Sequence, residues 1–571
     1  MNFRQLTYHY ARPLWTWYLI GVFFLILVNY VAIEIPQIVK NITDALTTNQ
    51  SIDKLESWAL LVVGLGSLML FIRAISRILV FWPGRKIEAN LKQDLFSRLI
   101  SLPQSFFFRH GMGDLISRMA NDVNQIRVLY AFALLQLVNM ILLIFLAMTK
   151  MISTSPLLTA ASIFPLGLMI FITRYAMPKM QQYSKFNQEA LGRLTNRVTE
   201  AFVNVHVIQA NTAEKSFADL AHVENQSVFD SNMKLIVIRT LIFPLMGSLA
   251  SLSLVITMLL GGYMAIDGKI TVGDILAFNI YIGLLTFPLT ALGIILGVYQ
   301  RAKTALVRIS EIQDTEPEVQ PTHVVSPVAN SVLLEVKNLN FEFEKAEEDS
   351  TRFKLENVSF KLEPQQHLGI FGPIGSGKSV LFDLITRIQS PQPGAIFLQG
   401  VDINDLSPQY LRRQIAYASQ SVHLFSDTIR NNLTFGLDNV TQEELEAAAK
   451  KAQILNDIEK FEMGWETEVG EKGVRLSGGQ KQRLALARIL IRKPQIIILD
   501  DVLSAVDHTT EQLLIETIQK IECSVIIASH RASALEHCDQ ILILDKGKIT
   551  KTGTFEQLSD IINSVSEGDR T

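Results

Sequence analysis

Six long apolar stretches in the first 300 residues constrain this chain more than any other feature. A helix needs about 20 apolar residues to cross about 30 Å of hydrocarbon. Five stretches reach that length without a charged residue: Pro13 to Ile33, Val128 to Thr149, Met151 to Thr173, Thr240 to Ile266 and Ile275 to Gln300. The sixth, Ser57 to Gly84, is interrupted by Arg73 and Arg77 but is otherwise membrane-like. With flanking residues, the predicted spans are 13–35, 57–84, 128–150, 151–176, 240–266 and 275–300. Composition agrees, since 49% of the 571 residues are apolar, 19% are charged and the mean hydropathy is +0.25, too apolar for an ordinary water-soluble enzyme.

Basic residues near helix ends stay on the cytoplasmic side, so their distribution orients the spans. Arg85 to Arg127 holds seven Lys or Arg and Arg174 to Arg239 holds eight, whereas the alternate connections carry one or two each. Both termini are therefore expected in the cytosol. Met1 to Trp15 runs into the first span without an A-x-A-like cleavage site and reads as a retained anchor. The two basic connections are too long for loops. Ile87 to Ile100 and Asn187 to Val205 have helix-compatible apolar spacing, which predicts helices that continue well into the cytosol. Each connection contains a turn region, Pro103 to Asp114 and Asn211 to Ala218, where a short crosswise helix could meet a second domain or simply close a solvated hairpin. Glu34, Arg73 and Arg77 either line a polar cavity or sit at helix ends and in pairs, because an unpaired charge in the bilayer is costly. Asn29, Gln136, Asn139, Asn279 and Tyr281 suit hydrogen bonds between helices.

After Gln300 the apolar text stops, and Arg301 to Ile312 reads as the cytosolic end of the last helix. Asp314 to Asn330 holds Pro317, Pro321 and Pro327 among polar residues, a linker signature. From Val332 short β-rich runs alternate with amphipathic helices, the pattern of a soluble α/β domain. The expected organisation is a six-helix all-α transmembrane domain over 1–312, a linker over 313–331 and an α/β domain over 332–571. A net charge of -3 offers no footprint for a nucleic acid. Cys523 and Cys538 have no CxxC or His spacing around them, so no disulfide or metal framework is expected.

The strand-like run His367 to Phe371 leads into Gly372-Pro373-Ile374-Gly375-Ser376-Gly377-Lys378-Ser379, which fits G-x-x-x-x-G-K-[ST] and precedes the helical Val380 to Ile388. Amides of such a loop wrap a β-phosphate, Lys378 reaches the β- and γ-phosphates, and the Ser379 hydroxyl ligates Mg²⁺. Alone, the motif says nucleotide and not what the nucleotide drives. A second strand, Gln495 to Leu499, ends in Asp500, the acidic residue suited to hold the metal. Leu476-Ser477-Gly478-Gly479-Gln480 lies twenty residues before Asp500 as a small-residue turn before a helix, another place for amides to meet phosphate.

Taken in order, these motifs resemble the ATP-binding cassette (ABC) family. In that resemblance Gln420, after the strand Ile415 to Ala418, matches the Q-loop, Ser504 to Asp507 the D-loop and His530 the switch histidine. Phe343 takes the place of the tyrosine that usually stacks on adenine. Thr467 to Gly473 resembles a loop of exporter-type cassettes, while Phe106 to Asp122 and Ile208 to Phe217 look like the two coupling regions of multidrug exporters. A membrane domain before a cassette on one chain is the half-transporter layout. The resemblance thus implies a P-loop NTPase domain behind an exporter-type (type IV) membrane domain in a bacterial plasma membrane. It also implies ATP with Mg²⁺, a second half-transporter as partner, and export of hydrophobic or amphipathic drugs or lipids.

One position departs from the family pattern. The residue after the metal-binding aspartate is usually a glutamate that polarises the attacking water, and here it is Asp501. Misplacing a catalytic group by about 1 Å can cost on the order of 10²-fold in rate. The site formed by Asp501, His530 and Gln420, with Ser379, Gln420 and Asp500 around the metal, is therefore expected to hold ATP but hydrolyse it slowly. Cassettes of this family dimerise head to tail, so the intact Leu476 to Gln480 would complete the partner's site. The combination favours a heterodimer over a homodimer. A regulatory ATP-binding subunit and an importer with an exporter-like fold are the alternatives. Phe23, Phe24, Phe243 and Phe287 suit hydrophobic cargo and lipid contact equally, so the residues do not choose a substrate. No peptidase-like domain is expected before the first span, nor a further module in the short tail after Ile549.

Overall fold

The computed structural model describes residues 2–47, 52–317, 332–342, 354–470, 473, 476–502 and 508–568. The chain divides into two compact units, Met1–Ser101 with His110–Glu316, and Leu102–Arg109 with Pro317–Thr571.

The first unit is built on six long helices, Phe3–Thr47, Leu55–Leu99, Met112–Thr154, Pro156–Val203, Glu214–Ile266 and Val272–Asp314. In hydrocarbon every backbone N–H and C=O must be satisfied within the segment, which is why such apolar text folds as helix. Each helix has 43 to 53 residues. The shortest is roughly 65 Å long at about 1.5 Å per residue, twice the hydrocarbon thickness, so each one carries a stem beyond the membrane. The third and fourth helices meet at Ser155, whose side chain accepts from the Leu158 amide while Pro156 occupies the first helical position. This break falls later than the charge-free text suggests, because Lys150 continues the third helix and reaches the Glu34 carboxylate on the first at 2.9 Å. The sixth helix starts in a capping box, with Thr271 accepting from the Asp274 amide and Asp274 accepting from the Thr271 amide.

Polar side chains tie the spans together, each offsetting the cost of a bare polar group in hydrocarbon. Asn29 donates to Asn139 at 3.0 Å, Tyr281 to the Ile33 carbonyl at 3.2 Å, and Ser162 and Thr257 share a 2.7 Å bond. Near the loop ends, Lys40 pairs with Asp274 at 2.6 Å, and Asp44 accepts from the Thr271 hydroxyl and the Gly273 amide. Arg73 reaches the Met69 sulfur at 3.6 Å, and both Arg73 and Arg77 are exposed on the single chain.

The two long basic connections each contain a short helix. The first is Gln104–Arg109, which falls in the second compact unit. The other is Val205–Ala210, followed by a turn in which Thr212 adopts a φ of 48° before the fifth long helix begins at Glu214. It ends just before the turn region read from the sequence, Asn211 to Ala218. Below the first excursion the third and sixth stems are bound by an ionic cluster. Buried Arg118 donates to Asp114 at 2.7 Å, to Glu311 at 2.6 Å and to the Arg308 carbonyl at 2.9 Å. Arg308 in turn pairs with Asp114 and with Asp122, and His110 lies 3.1 Å from Glu311.

The second unit contains two sheets. β1 (Leu334–Glu342), β2 (Lys354–Leu362), β4 (Ile396–Leu398) and β5 (Val401–Asp402) form an antiparallel sheet in the order β2-β1-β4-β5. The other has the order β10-β9-β3-β8-β7-β6, from β3 (His367–Phe371), β6 (Ile415–Ala418), β7 (Ile496–Asp500), β8 (Ser524–Ser529), β9 (Gln540–Asp545) and β10 (Lys548–Gly553). All its pairs are parallel except β9 with β10. Alternate residues of β7 enter two different cores. Ile497 and Leu499 pack with Val525, Ile527 and Ile541, while Ile496 and Ile498 pack with Ile526, Leu542 and Leu544. A strand buried on both faces has no polar face, which explains the unbroken apolar run in the sequence. The fold is thus a six-helix transmembrane domain followed by a sheet-containing nucleotide-binding domain.

Candidate functional site

Ligands of open α/β sheets bind beyond the carboxyl ends of the parallel strands. The phosphate loop, Asp500, Asp501 and His530 collect at that edge. β3 lies between β8 and β9, with Phe371 in register with both Ser529 and Ile543. The loop leaving it must therefore pass between two strand ends. A Cβ at Gly372 would lie 2.2 Å from the Leu544 carbonyl oxygen and 2.7 Å from Ser376 Oγ, so only glycine fits. Gly375 and Gly377 have φ of 80° and 107°, left-handed conformations that glycine adopts without penalty. Pro373 and Ile374 form the outer turn, and Ile374 is almost fully exposed. Lys378 curls back over the loop, donating to the Gly372 and Pro373 carbonyls at 2.6 and 3.0 Å. Ser376 Oγ is buried with no hydrogen-bond partner among the described residues. Such a polar atom, in a glycine-lined turn before the helix Lys378–Ile385, fits a loop that closes on phosphate oxygens.

The Ser379 hydroxyl donates to Asp500 Oδ2 at 2.6 Å, and Asp500 is 3% exposed at the end of β7. A hydroxyl and a carboxylate in contact beside a phosphate loop are hard oxygen donors, a set that fits Mg²⁺. Gln420 lies just beyond β6, the strand next to β7, and is exposed. Asp501 turns out of β7 with a φ of 52°, and its Oδ1 lies 3.1 Å from His530 Nδ1. Asp501 and His530 meet because β7 and β8 are adjacent and Asp500 is in register with Ala528, two residues before His530.

Two residues of this edge escaped the motif reading. Tyr417 on β6 donates its hydroxyl to Asp500 Oδ2 at 3.3 Å. Asp383, on the helix after the phosphate loop, is pushed up to about 6 by burial and then by the charge of Asp500. The usable signal was strand register, since Tyr417 pairs with Ile498, two residues before Asp500 on the same face. The sign of the Asp383 effect follows from the raised value. Below its ordinary value of 3.8 the carboxyl is protonated folded or unfolded, and the penalty for ionising it in the fold is complete above about 6. Asp383→Asn should therefore raise the metal-free melting temperature by about 3 °C at pH 7.5, discounted for partial exposure, and leave it unchanged at pH 3.5. Differential scanning fluorimetry in EDTA at the two pH values measures this.

Leu476 is buried, and Ser477 caps the helix Gly478–Leu490 in a capping box with Gln480. Gln480 donates to Asp457 at 3.3 Å, and Arg483 fixes the same carboxylate at 2.8 Å. The Gly478 and Gly479 amides thus stand at the open end of a rigidly held helix whose body packs on β6 and on the helices Ile429–Leu433 and Gln442–Lys451. Phe343 and Asp507, and the linker beyond residue 317, lie outside the described residues.

A phosphate loop and an acidic strand end on one sheet, a capped glycine turn in the same unit and six apolar spans before it are the parts of a nucleotide-binding membrane protein. The chain belongs to the ABC transporter family. Residues 18–289 match the family described as ABC transporter transmembrane region, and residues 355–504 the one described as ABC transporter. The chain is 30% identical to the multidrug resistance-like ATP-binding protein MdlA of Escherichia coli (strain K12), covering 98% of this chain and 94% of the relative. It is 31% identical to a probable multidrug resistance ABC transporter ATP-binding/permease protein, YheI, of Bacillus subtilis (strain 168), over 96% and 94%. An ATP-dependent lipid A-core flippase of Photobacterium profundum is 31% identical over 85% of this chain and 82% of the relative. Among solved structures, a bacterial Atm1-family ABC exporter with ATP bound superposes with a TM-score of 0.81 at 25% identity, covering 97% of this chain and 98% of the other. This chain is accordingly a multi-pass membrane protein of the ABC exporter type.

Proposed function

We propose that this chain is one half of a heterodimeric exporter in a bacterial plasma membrane, with its cassette in the cytosol and a slow ATP site on its own phosphate loop. Residues 1–312 would form the translocation domain, 313–331 the linker and 332–571 the cassette. The observation that carries the slow-site reading is Asp501. Its carboxylate contacts His530 at 3.1 Å, yet its side chain is shorter than glutamate by about 1.5 Å, one C–C bond.

ATP supplies a phosphoanhydride for hydrolysis, and Mg²⁺ would neutralise the phosphate charge that develops. Amides of the loop from Ile374 to Gly377 would face the β-phosphate, Lys378 would leave the loop carbonyls to take the β- and γ-oxygens, and Ser379 with Asp500, joined by Gln420, would hold the metal. Phe343 would take the adenine-stacking place. Asp501 takes the water proton from a retracted position, and His530 orients Asp501 and steadies the γ-phosphate. In a head-to-tail dimer Leu476 to Gln480, with Asp507, would serve the partner's nucleotide.

A dimer is supported by apolar residues around the second excursion. Phe202, Val203 and Val207 are all strongly exposed on the single chain at a cytosolic tip, where apolar surface needs a cover. Relatives whose names record multidrug resistance and lipid A-core flipping support export of hydrophobic or amphipathic molecules. The test is Asp501→Glu in the assembled complex. ATP turnover should rise about tenfold, a tenth of the largest penalty expected for a 1 Å misplacement. Unchanged turnover would remove the slow-site reading and leave a homodimer with two equivalent sites as the better account.

A further inference from the structure

We propose that Tyr417 is a positioning residue for the Asp500 carboxylate, holding it in the orientation that binds the divalent cation. This rests on the reading of Ser379 and Asp500 as the metal site.

Asp500 Oδ2 takes two hydroxyl donors, Ser379 at 2.6 Å and Tyr417 at 3.3 Å. Ser379 is itself a ligand in that reading, so its hydroxyl must reorganise when metal enters. Tyr417 is not a ligand. It is the one of the two that fixes the carboxylate plane with or without metal. Partners that orient a ligating carboxylate govern metal affinity in the same way as the groups that orient ligating histidines.

Tyr417 itself is firmly placed. β6 is an edge strand of its sheet, held by β7 on one side, with Tyr417 in register with Ile498. Its ring stands edge-on to the fully buried Phe382, with centroids 6.0 Å apart. Phe382 follows the metal-binding Ser379 on the helix Lys378–Ile385. One aromatic ring therefore bridges the strand before Gln420, the helix after the phosphate loop and the acidic end of β7. Phenylalanine at this position would keep the ring contacts and remove only the hydroxyl, which makes the idea separable from core packing.

The experiment uses the full-length chain in lipid nanodiscs with ATPγS, and Mn²⁺ as the probe, counted by electron paramagnetic resonance. Tyr417→Phe should weaken Mn²⁺ binding about tenfold, the lower end of the range for groups that orient a metal ligand. Nucleotide affinity in EDTA and the melting temperature should stay as in the wild type. Asp500→Asn is the reference and should abolish metal-dependent binding. If Asp500→Asn loses Mn²⁺ while Tyr417→Phe binds it normally, the positioning role is overturned and the metal-site reading stands. If Asp500→Asn binds Mn²⁺ like the wild type, the site reading itself fails and the role of Tyr417 with it. A loss of nucleotide affinity in EDTA equal to the loss of Mn²⁺ affinity would also overturn the proposal, since the damage would then lie in the loop.

Discussion

Gly372→Ala should reduce ATP affinity on the order of 10²-fold and ATP turnover at least as much, although no atom that touches nucleotide is removed. The new Cβ would lie 2.2 Å from the Leu544 carbonyl oxygen, well inside van der Waals contact. A flexible side chain could yield, but this is backbone. Leu544 follows Ile543, which is in register with Phe371 just before the loop. Strand β9 is pinned on its other side by β10, where Leu544 pairs with Ile549. The loop must then move instead, by about 1 Å, and the amides of Gly375 to Gly377 leave the positions that suit a phosphate. Overpacking of this kind costs about 1–3 kcal/mol of stability, which a cassette of this size tolerates. Gly394→Ala is the control. Its φ is 77° but nothing lies within 4 Å of the new Cβ, so it should cost about 1 kcal/mol of stability and leave nucleotide binding intact. Equilibrium binding of a fluorescent ATP analogue to both variants decides the matter, and a wild-type affinity for Gly372→Ala would refute the close-approach argument.

Arg118→Ala should separate ATP hydrolysis from transport. Arg118 is 6% exposed, and its guanidinium makes three contacts, to Asp114, to Glu311 and to the Arg308 carbonyl. It joins the stem that follows the first long connection to the stem of the sixth helix. Removing it leaves Asp114 with Arg308 and Glu311 with His110, and no direct bond between Arg118's stem position and Glu311. Loss of a buried arginine among charged partners would cost about 3–5 kcal/mol if all were buried. Asp114 and Glu311 are 37% and 49% exposed, so screening reduces this to about 2 kcal/mol. The larger effect is mechanical, because the two stems lose their most buried tie and are held by the more exposed Arg308 pairs to Asp114 and Asp122 and the His110 contact to Glu311. In vesicles of defined sidedness, dye transport by the assembled complex should fall by about tenfold or more while ATP turnover stays within about twofold. Parallel loss of both activities would point to simple destabilisation, and Arg118→Lys, which keeps one charged contact, should then recover the two together rather than transport alone.

How much of this was legible in the sequence depended on how far apart the interacting residues lie. The phosphate loop is eight consecutive residues, Gly372 to Ser379, and its chemistry is local, so the motif announced both glycine geometry and ligand class. The spans were equally legible, because hydrocarbon leaves helix as the only open-ended solution for apolar text of that length. The break between the third and fourth helices was less so. Lys150 marked a boundary by its charge, but a partner on another helix, Glu34, lets that charge stay within the helix until Ser155 and Pro156 end it.

The sequence by itself determined that this chain is a six-span membrane domain followed by a cassette, that it carries a phosphate loop, and that aspartate stands where its family usually places glutamate. Only the tertiary structure decided which side chains meet. Asp501 and His530 come together through the parallel pairing of β7 with β8, Tyr417 and Asp500 through that of β6 with β7, and Arg118 and Glu311 through the packing of the third stem on the sixth. Strand order and stem packing are set by the burial of many apolar side chains at once, a sum over the whole core that no local stretch of sequence contains.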